Sequence, residues 1–177
     1  PASELNGIFA DFLHRLQRGK QLVNYQFYDG SYLISIDGSE YFSSEKIRCP
    51  HCLVTESKGK QRYHHQILQS VIVHPDMRQV IPLSPEQISN RDGTKKQDCE
   101  INAGKRVVYN ITKTHPKLKI TITADDLYSK QPFIDALKKS KMFMKHCVTI
   151  CRYLREQEKT MFLISIWQIL FQNTAYL

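Results

Sequence analysis

Tyr32-Leu33-Ile34-Ser35-Ile36-Asp37-Gly38 and Leu118-Lys119-Ile120-Thr121-Ile122-Thr123-Ala124-Asp125-Asp126 are two short apolar runs that each end in an acid. Their β-branched, alternating composition reads as strand. A hairpin-like stretch and one helix lie between them, an order that sets the two strands side by side in one sheet. Neighbouring strands lie about 4.8 Å apart. Asp37 and Asp125 are therefore expected to share or flank a hard divalent cation, which favours carboxylate oxygens. Alternation groups Asp125 with Lys119, Thr121 and Thr123 on the less apolar face and sends Asp126 to the core face. That favours Asp125 as the functional acid. The competing explanation is that each Asp simply starts a turn, above all Asp37 before Gly38.

Outward from these runs, Leu5, Ile8, Phe9, Phe12, Leu13 and Leu16 recur at helical spacing over residues 5–18. Asp29-Gly30-Ser31 marks a turn before the first strand. Residues 43–61 are polar and read as a loop. Tyr63 to His74 reads as strand, Pro75-Asp76 turns the chain, and Gln79 to Leu83 returns, the pattern of a hairpin. Residues 84–96 read as a connection. A helix follows from about 97 to 113, stopped by His115-Pro116. After the 118–125 strand come a helix over 131–139, a strand near 143–150 and an apolar helix over 153–171. Three antiparallel strands followed by strand-helix alternation give an α/β fold, a mixed sheet with flanking helices.

The chain has 177 residues, 41% hydrophobic and 24% charged, with a formal charge of +8. That is ordinary for one domain, and the charge makes an acidic polymer the expected partner. The longest apolar run, Met161 to Phe171, includes Ser165 and Gln168 and falls short of the roughly 20 residues a span needs, so no membrane association is expected. Five cysteines, an odd number, do not form a disulfide framework, and a reducing, intracellular setting fits them. The chain opens on Pro1 rather than Met, so preceding sequence is expected.

Several stretches together resemble a family of bacterial insertion-sequence transposases of the DDE type. They are Ile36-Asp37-Gly38-Ser39, Tyr63-His64-His65-Gln66, Val80-Ile81-Pro82-Leu83-Ser84-Pro85-Glu86, Lys96-Gln97-Asp98-Cys99-Glu100-Ile101-Asn102, Lys105-Arg106 and Ala124-Asp125-Asp126-Leu127-Tyr128-Ser129. The resemblance covers roughly residues 5–140. It implies a ribonuclease-H-like core over 29–142, preceded by a helical segment over 1–28 and followed by an atypical tail over 143–177. It implies Asp37 and Asp125 as catalytic residues, and these with Asp126 as ligands of Mg²⁺, for which Mn²⁺ could substitute. The implied reaction is cleavage at element ends, then attack of the freed 3′-hydroxyl on target DNA. Element ends and target DNA are the implied partners, a homodimer on DNA a candidate assembly, and the prokaryotic cytoplasm, with the nucleoid, the implied location. The family's third acid lies on a downstream helix. The text after Phe143 departs from the family as a truncated or frame-shifted tail would, with Glu156 and Glu158 as the candidates there.

Two rival functions stand beside this one: a stand-alone nuclease on the same fold, and a catalytically dead, basic DNA-binding remnant. Eight basic residues against three acidic ones between Arg91 and Lys119 supply candidate DNA-backbone contacts, Lys95, Lys96, Lys105 and Arg106 foremost. A second basic cluster runs from Lys138 to Lys159. Cys49-Pro50-His51-Cys52, with His64 and His65 downstream, has half the look of a structural zinc site, and adjacent histidines on a strand allow at most one to join it. Glu100 and Asp98 open a helix, where negative charge suits the dipole. Glu100 is also a candidate extra metal ligand.

Overall fold

Strand β1 (Tyr32–Ser44) is the middle of the sheet, hydrogen-bonded to a strand on each side. The computed structural model describes residues 6–27, 30–90, 97–140 and 142–146. Within them the order is α1 (Asn6–Arg18), β1, β2 (Leu53–Ser57), β3 (Lys60–Val73), β4 (Ile81–Pro82), β5 (Glu86–Ile88), α2 (Glu100–Thr114), β6 (Ile120–Ala124), α3 (Gln131–Lys139) and β7 (Phe143–His146). Short 3₁₀ turns occupy Leu22–Tyr25 and Asp126–Ser129.

On one side β1 pairs antiparallel with β3, from Leu33↔Val73 to Ser44↔Tyr63. On the other it pairs parallel with β6, which pairs parallel with β7. The outer edge of β3 is lined in turn by β2 against its start, β5 against Gln66–Leu68 and β4 against Val71–Ile72, all antiparallel. A register shift between Glu40 and Phe42 marks a bulge in β1, and bulges bend and twist the strand that carries them. The result is a curled mixed sheet with three helices, an α/β architecture.

The larger core lies between the sheet and the helices. Ile34, Ile36, Leu68, Ile72, Ile120 and Ile122 meet Leu13 of α1, Val107 and Ile111 of α2, and Phe133 and Leu137 of α3. A smaller cluster of Phe27, Leu33, Val71 and Val73 follows the opposite parity of the strands. α2 carries its buried residues at 103, 104, 107, 108 and 111, one continuous stripe. It ends ahead of Pro116, which disfavours helix at the residue before it. α3 starts with Pro132 in its first turn, where a missing N–H costs nothing.

Two differences from the sequence reading have physical reasons. Residues 43–61 are not all loop: β1 continues to Ser44, and β2 forms a hairpin with β3 through Lys58-Gly59, both at positive φ. Only Leu53 of β2 is buried, so an edge strand wet on both faces left no alternation to read. Nor is the Thr face of β6 the more solvated one. All five of its residues are buried, as expected of a strand flanked by parallel partners. Thr121 meets that burial by donating its hydroxyl to Ser31 Oγ at 3.1 Å.

α2 comes close to α3 because Gly104 has no side chain. A Cβ there would stand 2.9 Å from ring atoms of both Tyr128 and Phe133. Those rings are 1% and 0% exposed and pack edge to face at 5.0 Å. Alanine normally favours a helix by about 1 kcal/mol over glycine, but two fixed, buried rings cannot yield cheaply. Gly104→Ala is therefore expected to destabilise the fold by about 1–2 kcal/mol, read as a lower urea midpoint with an unchanged slope.

Candidate functional site

The parallel register Leu33↔Thr121 and Ser35↔Thr123, carried two residues further, sets Asp37 opposite Asp125. Paired residues of neighbouring strands share a face, so the two acids lie on the same side of the sheet. Asp37 is half-buried and Asp125, just past the end of β6, is exposed. Burial pushes the Asp37 carboxyl above its ordinary value, opposed by a hydrogen bond from the Gly38 backbone and reinforced by the negative charge of Asp125. Asp125 also caps the following turn, its Oδ1 accepting from the Leu127 N–H at 3.1 Å. Asp126 begins that same turn.

A third carboxylate joins them. Glu100, the first residue of α2, lies over Gly38, where even a Cβ would collide with its carboxylate carbon at 2.6 Å. Its pKa is raised, first by burial, then by the charges of Asp37 and Asp125. Beneath the three acids sits Tyr128, whose buried hydroxyl finds no hydrogen-bond partner among the described residues. Burial, then the charges of Glu100, Asp125 and Asp37, hold that phenol strongly in its neutral, hydrogen-donating form. The spacing Asp125-x-x-Tyr128 after a strand was the available signal for it, yet a tyrosine in a turn reads first as packing.

Arg106 holds α2 in position. Its Nε donates to Glu86 Oε1 at 2.6 Å, its Nη2 to Asp98 Oδ2 at 2.8 Å and to the Gln87 carbonyl at 3.0 Å. The Asp98 side chain is 6% exposed and serves both Arg106 and the helix start, where its Oδ1 accepts the Cys99 N–H at 2.9 Å. The Arg106 charge is thus matched within the chain, whereas Lys105 beside it is half-buried and makes no ion pair among the described residues. Gln97 accepts the Val54 N–H at 2.8 Å, and Asn90 bridges the Asp98 N–H to the Cys52 carbonyl at 3.0 and 3.3 Å. Lys95, Lys96, Glu156, Glu158 and the expected helix over 153–171 lie outside the described residues.

Cys49 and Cys52, both free thiols, meet His65 and not His64. Among the described residues this trio is the one group of three His, Cys, Asp or Glu donors whose ligand atoms all lie within 4.8 Å of one another. Among the described residues the three carboxylates do not form such a group. No helix among the described residues is long and apolar enough to cross a membrane. Neither protein-family models nor curated proteins give a match to this chain.

The raised carboxyls have a consequence for stability. An acid whose pKa is higher folded than unfolded binds more protons in the native state, so stability falls as pH rises from the ordinary carboxylate value through the raised one. At neutral pH the charges on Asp37 and Glu100 therefore oppose folding. In chelator, Asp37→Asn is expected to be more stable than wild type at pH 7, by about 1 kcal/mol or less given the solvent screening. Urea denaturation should show that advantage shrinking as pH falls toward 4.

Proposed function

We propose that this chain is the ribonuclease-H-like catalytic core of a DDE-type transposase, acting on DNA by metal-dependent strand cleavage and strand transfer. The observation that carries the reading is the approach of Asp37 in the middle of β1, Asp125 just past the end of β6 and Glu100 at the start of α2. The strand order supports the finer fold name. With the β2 hairpin arm set aside and β4 and β5 taken as one interrupted third strand, the sheet reads third, second, first, fourth, fifth, the second running against the rest of its neighbours. Helices follow the third and fourth strands. The transposase-like motifs of the sequence fall on these same elements.

The donor chemistry fits Mg²⁺ or Mn²⁺. All three side chains offer carboxylate oxygen, the ligand hard cations take. Burial and neighbouring negative charge raise the carboxyls of Asp37 and Glu100, and the Tyr128 hydroxyl, without a hydrogen-bond partner among the described residues, leaves polar capacity unused beside them. Asp37, Asp125 and Glu100 are the residues that would hold the ion, which when bound supplies Lewis-acid activation of the scissile phosphate and of the attacking hydroxyl. Asp125 is oriented for this by its bond from Leu127, which engages Oδ1 alone. Tyr128 keeps its proton throughout and can donate to a carboxylate or phosphate oxygen. Lys105 and the basic segment around Lys95 and Lys96 are suited to phosphate contacts, which weaken steeply with salt.

Glu100 also favours a second reading, a stand-alone nuclease. With a third carboxylate on α2, hydrolysis does not have to wait for an acid in the tail. Supercoiled or element-end DNA nicked in Mg²⁺ or Mn²⁺ but not in EDTA separates both enzymes from an inert DNA-binding remnant. Asp37→Asn and Asp125→Asn are expected to lose more than the 10–100-fold typical of an outer-shell partner. Donor ends joined to target DNA identify the transposase, and nicked or shortened products alone identify the nuclease. Gly38→Ala is a sharper probe of Glu100. The added methyl displaces a flexible carboxylate rather than backbone, so cleavage should fall at least ten-fold while the thermal midpoint stays within a few degrees.

A further inference from the structure

Cys49 and Cys52 stand in the connection between β1 and β2, and His65 stands in β3. The two sulfurs are 3.3 Å apart, and His65 Nε2 lies 3.3 Å from Cys49 Sγ and 3.4 Å from Cys52 Sγ. Ordinary thiol hydrogen bonding accounts poorly for this triangle. Each thiol has one proton, and one imidazole lone pair cannot accept from both. The sulfurs are also too far apart for a disulfide, whose bond is about 2.05 Å. The His65 ring is fixed between aromatic neighbours, stacked on Tyr41 at 5.8 Å and tilted against Phe42 at 5.6 Å. Its other nitrogen, Nδ1, is buried without a hydrogen-bond partner among the described residues. The imidazole thus commits its one accessible nitrogen to the two sulfurs. The turn is closed by the Cys52 N–H donating to the Cys49 carbonyl at 3.2 Å, and the Cys49 N–H points at Cys52 Sγ at 3.1 Å.

We propose that Cys49, Cys52 and His65 bind a single zinc ion in a tetrahedral Cys₂His centre whose fourth position is open to water. Zinc takes sulfur at about 2.3 Å and imidazole nitrogen at about 2.0 Å, which places tetrahedral neighbours about 3.5–3.8 Å apart. The three donors need spread by only a few tenths of an ångström to fit. Soft thiolates exclude Mg²⁺ and Ca²⁺ here and select zinc among the common divalent ions, so the centre is chemically distinct from the carboxylate site. It is distant as well. His65 pairs with Phe42, five residues along β1 from Asp37, roughly 17 Å at a rise of about 3.3 Å per residue.

Its role is structural, a staple that ties an exposed loop to β3. The staple reaches further through Asn90, which donates to the Cys52 carbonyl and accepts the Asp98 N–H. The loop that carries the metal is therefore bonded to the segment that leads into α2. The assignment does not depend on what the carboxylates do, and its test reads metal and thiols rather than cleavage.

The full chain, purified with a non-thiol reductant and given zinc, is expected to retain a stoichiometric amount by elemental analysis after dialysis. Two of its five cysteines should be shielded from a thiol reagent until EDTA is added. Cobalt substitution should give the absorption bands of a tetrahedral thiolate complex. Cys49→Ser, at an exposed position, and His65→Ala should each reduce retained zinc at least ten-fold, while His51→Ala retains it. Copper or iron in place of zinc, no retained metal with all thiols reactive, or undiminished zinc in Cys49→Ser would overturn the proposal. Loss of zinc in His51→Ala would overturn the open fourth position.

Discussion

The Glu100 carboxylate rests against bare backbone at Gly38, and the candidate site depends on that approach. A side chain at position 38 would occupy the space the carboxylate fills. Without that approach, α2 would contribute no acid beside the middle of β1 and the end of β6, and two aspartates would face one another alone. Burial, together with neighbouring negative charge, raises the pKa of Asp37 and of Glu100, and that costs stability. A fold that retains such a cost there has the electrostatic profile of a functional site, where perturbed carboxyls concentrate.

What keeps Glu100 there is the ion-pair network one turn and a half along the same helix. Arg106 is gripped by Glu86 from β5 and by Asp98 from the segment entering α2, so a single guanidinium fixes both the start of the helix and its distance from the sheet edge. Two carboxylates around one cation leave a net negative charge, and the bond to the Gln87 carbonyl orients the guanidinium further. The bidentate, planar geometry is one that lysine could not reproduce. Gly104 completes the arrangement by letting the helix settle onto Tyr128 and Phe133, which brings the tyrosine hydroxyl under the acids.

Much of this was legible in the residues. The alternating runs ending at Asp37 and Asp125 identify the two strands, and the hairpin-like stretch and helix between them predict that they lie side by side in one sheet, as β1 and β6 do. β7 follows where a strand was expected near residue 143. β2 and β5 were not legible, because edge strands against β3 need only one or two buried residues. Arg106 looked like a phosphate contact because a sequence shows charge but not its partners, and Glu86 lies twenty positions away. His65 could be chosen over His64 only with the register in hand. Strand alternation allowed one of the pair to join the cysteines, and Leu53↔His64 pairing gives His64 to the buried face.

Asp125 shows why a turn-initiating role and a metal-binding role need not compete. Its capping bond from Leu127 occupies Oδ1, which fixes the side-chain torsions and leaves Oδ2 without a bond from that turn. A carboxylate ligand gains from such restraint, since a side chain already ordered loses less entropy when it coordinates. Asp37 is arranged similarly, with the Gly38 backbone hydrogen bond steadying a half-buried carboxyl. The turn bond that would explain Asp125 alone is thus the means by which it is held, while Asp37 is held within β1. What these local contacts do not explain is the placement of both acids in register on adjacent parallel strands, with Glu100 against Gly38.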